Sequence, residues 1–126
     1  MSVKVRKIQR PLPRETDQKR WYLTQSKSGT VKLEDISARL EKSSSLSAGD
    51  IGNVLTNLID ELPVYIAMGQ TIQLGDFGTF RISVSSEGAE TAEALTARNV
   101  KKAKLVFLPG TRLKQKLAAL TFEIAE

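Results

Sequence analysis

Between Ser47 and Gly69 the chain carries its most restrictive pattern. Ile51, Val54, Leu55, Leu58, Ile59 and Leu62 recur at i, i+3, i+4, i+7, i+8 and i+11, the spacing that aligns side chains along one side of an α-helix. Asn53, Asn57, Asp60 and Glu61 fill the other side. Ser47 and Asp50 stand at the serine-x-x-acid spacing of a capping box, which predicts the helix start. Pro63 falls inside the pattern, removes one backbone hydrogen bond and predicts a kink. The helix is expected to resume through Met68 and end at Gly69, a left-handed C-cap. A stripe this wide exceeds what one short helix needs inside its own domain. It predicts packing against a second copy of the chain, as an obligate dimer.

The flanking segments change period. Upstream, Thr30 can cap a shorter helix, with Glu34 and Asp35 at its positive end and Leu33, Ile36 and Leu40 as its stripe; Ser43–Ser45 stop it. Downstream the period becomes two. Ile72 and Leu74 share one face, Gly75–Gly78 form a turn, and Phe80, Ile82 and Val84 share the next face, which predicts a hairpin. Ser85–Ala97 is polar and acidic and reads as a loop or arm. Asn99–Leu108 reads as a third strand, Thr111–Ala119 as a short basic helix, and Leu120, Phe122 and Ile124 as a final strand. Residues 1–30 read as an extension. Val3 and Val5, and later Trp21 and Leu23, alternate at strand period, while Pro11, Pro13 and the polar run Arg14–Arg20 predict a linker or exposed crossing between them.

Residue types absent from the chain narrow its chemistry. It has no cysteine and no histidine, so disulfides, Cys/His zinc sites, Ser-His-Asp triads and Cys-His dyads are excluded. No nucleophile–base pair, phosphate-cradling glycine loop or metal-ligand spacing stands out. The expectation is therefore a protein that is not an enzyme, with no catalytic, cofactor or metal residues and no small-molecule substrate. No apolar run is long enough to cross a bilayer and no signal-peptide pattern follows the basic start, so no membrane role and a cytoplasmic location are expected. The net charge is +5, unevenly spread. Residues 1–30 carry eight Lys/Arg against Glu15 and Asp17; residues 98–126 carry seven against Glu123 and Glu126. A localised positive surface attracts a polyanion.

The order of elements and three short stretches resemble the HU/IHF family of bacterial histone-like proteins. The first is Leu74-Gly75-Asp76-Phe77-Gly78-Thr79-Phe80, similar to that family's glycine-rich hairpin turn ending Gly-Thr-Phe. Ala97-Arg98-Asn99-Val100 resembles its Ala-x-Asn-Val lead into the last strand. Phe107, Pro109, Gly110, Leu113 and Lys114 resemble its ending. The likeness spans Thr30 to Leu117. A closer likeness is to an HU-related subgroup with a basic N-terminal extension containing an aromatic pair, here Trp21-Tyr22. The family's arm carries a proline that wedges between base pairs. This chain has no proline between Pro63 and Pro109, and holds Glu87, Glu90 and Glu93 there instead.

The resemblance implies an α+β, HU/IHF-like fold: two N-terminal helices, an antiparallel β-sheet with an arm, a short C-terminal helix, extra N- and C-terminal strands, and an intertwined homodimer. The expected division is an N-terminal extension at 1–29, a DNA-binding domain at 30–119 with its arm at about 85–98, and a C-terminal strand at 120–126. The expected partner is double-stranded DNA, held by charge and shape in the nucleoid. The expected contact residues are Arg81, Arg98, Lys101, Lys102, Lys104, Arg112, Lys114 and Lys116. Strand alternation sets Lys102 and Lys104 opposite the core side chains, with Arg81 emerging on the same face. Two alternatives stay open. The lysines can be an ordinary solvated face, and the chain can be a structural or protein-interaction module with weak or lost DNA binding. Trp21 and Tyr22 can stack on bases or pack an added edge strand on the body.

Overall fold

The computed structural model describes residues 2–12 and 15–125, without the side chains of 15–17. Their elements are β1 (Ser2–Leu12), β2 (Glu15–Gln25), α1 (Leu33–Lys42), α2 (Ala48–Ala67), β3 (Ile72–Leu74), β4 (Gly78–Ser86), β5 (Val100–Pro109), α3 (Thr111–Ala118) and β6 (Thr121–Ile124). Two compact units result. One joins the chain ends, up to Lys32 and from Lys116; the other spans Leu33–Gln115.

This order overturns the expected HU/IHF layout. The chain opens on two strands rather than two helices, and it forms two separate three-stranded sheets, ordered β2-β1-β6 and β3-β4-β5. The segment read as a linker is a long antiparallel hairpin, with Ile8 opposite Tyr22, Arg10 opposite Arg20 and Pro11 opposite Lys19. Pro11 is accommodated in β1 for a physical reason. β1 has β6 as a neighbour only over Ser2–Val5. Beyond that point β1 has one open edge, where a residue without an N–H is tolerated. Pro13 and Arg14 lie outside the described residues. The first helix begins at Leu33 rather than at Thr30, with Glu34 and Asp35 in its first turn. Inside it, buried Ser37 returns its hydroxyl to the Leu33 carbonyl at 3.0 Å.

In the end-joining unit, β6 pairs in parallel with β1, matching Val3 with Phe122 and Val5 with Ile124. The alternate residues meet on the other face: the Ser2 and Thr121 hydroxyls lie 3.0 Å apart, and Lys4 pairs with Glu123 at 2.7 Å. Val5 is buried, and Leu117, Leu120 and Leu23 flank it.

In the second unit, α2 starts at Ser47, whose hydroxyl accepts the Asp50 N–H at 3.2 Å. The helix continues through Pro63 to Ala67, and Gly69 follows with a positive φ of 78°. Ile51 is its one buried residue. Three phenylalanines hold the sheet. Phe107 lies 4.7 Å from Phe80 and 5.3 Å from Phe77, ring centre to ring centre, within the range of favourable aromatic pairs. The Gly75–Phe77 turn folds against the end of β5, where the Gly110 N–H donates to the Phe77 carbonyl at 2.8 Å.

That approach leaves no room for a side chain. A Cβ on Gly110 would strike the Asp76 carbonyl, and one on Gly78 would sit 2.5 Å from the Phe107 ring and 2.6 Å from the Leu108 carbonyl. Backbone cannot swing aside as a flexible side chain can. Gly110→Ala is therefore expected to cost about 1–3 kcal/mol of unfolding free energy, the range for overpacked sites. Urea unfolding at fixed protein concentration measures it; Gly88→Ala, in open space, should be close to neutral.

Candidate nucleic-acid interface

β4 and β5 pair Phe80 with Phe107, Ile82 with Leu105 and Val84 with Ala103, and between these Arg81 with Val106, Ser83 with Lys104 and Ser85 with Lys102. Paired residues of an antiparallel ladder project to the same face, and neighbours along a strand to opposite faces. One face is therefore apolar. The other carries Arg81, Lys104 and Lys102 in a row, with only serine and valine as their direct partners. Lys104 lies diagonal to Arg81, within reach of long side chains. All three cations are exposed. Thr79 and Leu108 continue this face toward the β3 end, so it bears no carboxylate among the described residues.

The remaining expected contact residues are placed differently. The ladder shifts between Ser85 and Ser86, which pair with Lys102 and Val100. Lys101 is the extra residue of that bulge, a position that redirects a side chain. Arg98 sits in a short 3₁₀ turn, Ala97–Asn99, just before β5. Arg112 and Lys114 lie on α3 within the second unit, and Lys116 belongs to the end-joining unit. The sheet thus gathers Arg81, Lys102 and Lys104 on one face, with Lys101 and Arg98 at its far end.

Residues 87–99 connect β4 to β5; the arm expected at about 85–98 thus begins inside β4, whose last residues are Ser85 and Ser86. The base of the connection is closed by the Glu87 N–H donating to the Asn99 carbonyl at 2.8 Å. Two short turns order the connection. Thr91 accepts the Ala94 N–H at 3.3 Å, and Asn99 accepts the Thr96 N–H at 2.8 Å. Glu87, Glu90 and Glu93 are exposed along it.

The apolar face of the sheet is left open. Ile59, Leu62, Pro63 and Ile66 of α2 meet Ile72, Phe80 and Leu105 around a groove of about 510 Å³. Leu105 is 60% exposed, Val84 57% and Val54 61%. Among the described residues, no three His, Cys, Asp or Glu side chains gather to hold a metal, and no helix is long and apolar enough to cross a membrane.

Three further arginines, outside the expected contact set, line up in the other sheet. Arg6, Arg10 and Arg20 fall on one face of the β1–β2 hairpin, a placement hidden while Pro11–Arg20 was read as a linker. Strand alternation carried through Pro11 would have found it.

A family model described as an HU domain fused to a wHTH, Ig or glycine-rich motif matches residues 1–124. No curated protein matches the chain. Among solved structures, the fold is similar to that of a Bacteroides vulgatus ATCC 8482 protein described provisionally as a bacterial DNA binding protein, with a TM-score of 0.65 and 10% identity. The match covers 98% of this chain and 48% of that one, so the chain spans about half of its structural neighbour. At this identity the likeness speaks for the fold alone.

Asn99 closes the acidic connection from both its backbone and its side chain. Asn99→Ala is expected to speed amide hydrogen exchange at Thr96 by about five-fold, equivalent to one hydrogen bond of about 1 kcal/mol. Exchange at Phe80 and Phe107 should stay unchanged, as read by mass spectrometry or NMR.

Proposed function

The chain belongs to the HU-HIG family, an HU domain fused to other modules, and from that membership we propose that it binds double-stranded DNA. Binding is architectural and largely independent of sequence, and it organises the chromosome in the cytoplasmic nucleoid. The observation that carries this reading is the row of Arg81, Lys104 and Lys102 on one exposed sheet face without an opposing carboxylate. Each cation that pairs with a phosphate releases condensed counterions, which gives affinity without reading bases. The DNA-binding description of the structural neighbour points the same way. Lys101, Arg98, Arg112, Lys114 and Lys116 extend the proposed contact set.

The proposed binding species is a homodimer. Ile59, Val84 and Leu105, on the α2–sheet side of the second unit, are each more than half exposed, apolar surface that a partner would cover. A second copy seated there would also double the basic row, turning three cations into a surface fit for a duplex. No proline wedge is available in residues 87–99, so DNA is expected to bend less than a wedge-inserting protein bends it.

A second reading draws on Glu87, Glu90 and Glu93. An acidic, exposed connection suits a protein contact better than a phosphate backbone, and under it the chain is an interaction module that has lost DNA binding.

Titration of a random-sequence duplex at several salt concentrations separates the two. Affinity should fall steeply with salt, and Lys102→Glu with Lys104→Glu should reduce the slope of log K against log [salt] by about 2–4, near one per lost contact in a dimer. No binding at low salt, or wild-type affinity in the double variant, favours the interaction module. Sedimentation at micromolar protein is expected to show a dimer; a folded monomer would assign the groove to a fused module instead.

A further inference from the structure

Beyond Val5, β1 leaves β6 and continues with β2 alone as a two-stranded ribbon. The register fixes what each face shows. One face bears Arg6 opposite Thr24, Ile8 opposite Tyr22 and Arg10 opposite Arg20. Arg6, Arg10, Arg20 and Tyr22 are all exposed. Arg10 lies over the Tyr22 ring, its guanidinium carbon 5.9 Å from the ring centre, a cation–π contact that keeps the charge on this face. The opposite face adds Lys7 and Lys19 beside Leu23 and Pro11.

This arrangement carries an electrostatic cost. Arg10 and Arg20 are direct cross-strand partners, and like charges at that position destabilise a ladder. In this unit, Glu123 is the one carboxylate among the described side chains, and it is engaged by Lys4 further down the sheet. Guanidiniums set about 5 Å apart at the backbone, and again about 13 Å along the strand, form a fixed positive ladder. A two-stranded ribbon is also narrow enough to enter the DNA major groove, which is about 12 Å wide.

We infer that the β1–β2 ribbon is a second DNA-binding element, with Arg6, Arg10 and Arg20 as its phosphate contacts. The inference rests on the chain being a DNA-binding protein, but on none of the residues of the β4–β5 face. The ribbon continues past the end of its β6 neighbour, so its contacts are additional to those of the β4–β5 face. The Arg10–Arg20 repulsion is relieved when a phosphate lies between them.

The test compares full-length variants on a random-sequence duplex across salt concentrations. Arg6→Gln, Arg10→Gln and Arg20→Gln combined should lower the slope of log K against log [salt] by about 3–5, near 0.9 for each phosphate contact in a dimer. The same three positions changed to lysine, which keep the charge, should retain the slope. Arg20→Gln alone gives a second readout that does not depend on the triple variant folding. Its melting temperature should equal or exceed that of the wild type, because a repulsion is removed, while DNA affinity falls several-fold at low salt. A slope lowered by less than about 1 in the folded triple variant overturns the inference, as does an Arg20→Gln protein that binds as tightly as wild type. So does a changed sedimentation coefficient with an unchanged slope, which would make the ribbon a protein contact. If Lys102→Glu with Lys104→Glu lowers the slope while the ribbon variants do not, the inference fails alone and the proposed function stands.

Discussion

The register of β4 against β5 is the constraint from which the rest follows. A strand shifted by one residue exchanges its two faces. Here a one-residue slip of β5 would turn Lys102 and Lys104 onto the face of Phe80 and Ile82 and carry Leu105 and Phe107 to the face of Arg81. Several contacts at one end prevent it. The Phe77–Phe107–Phe80 stack sits where β4 begins and β5 ends. Gly78 pairs with Pro109, and Gly110 donates into the β3–β4 turn. Two glycines without space for a Cβ make this corner fit one alignment only. The charged face is thus set by packing at some distance from the charges.

The same ladder explains why the chain is short of core. Only Val5 and Ile51 among the described hydrophobic residues are buried. The strand residues that alternate with the cations face an open groove instead of a second layer. Apolar burial is the main favourable term in folding, and here it is left half made. Basic face and apolar face are two sides of one sheet, so the register that exposes the first also fixes the second.

Legibility in the sequence tracked the length and strength of each pattern. The α2 stripe, its Ser47 cap and Gly69 end are readable because burial, capping and backbone freedom all point to the same boundaries. Strand alternation in 80–84 and 102–107 placed Lys102, Lys104 and Arg81 on a common face before any coordinates, since a period of two leaves one arrangement. The architecture was not readable in the same way. Likeness of local motifs to HU/IHF proteins implied a chain opening on helices. The pairing of β1 with β2 is obscured by Pro11, which an open-edged strand tolerates, and by a polar stretch with no apolar face to reveal it. The bulge at Lys101 also escaped, because its cause is a mismatch between two strands and not a property of either one.

In the proposed complex the β4–β5 cationic face lies against phosphate. Lysine acetylation, mapped by mass spectrometry on the protein alone and bound to duplex DNA, measures that directly. Strong protection of Lys102 and Lys104 by DNA is predicted, with exposed Lys42 of α1 labelled equally in both states. Equal labelling of Lys102 and Lys104 with and without DNA, under conditions where the complex is fully formed, would contradict it.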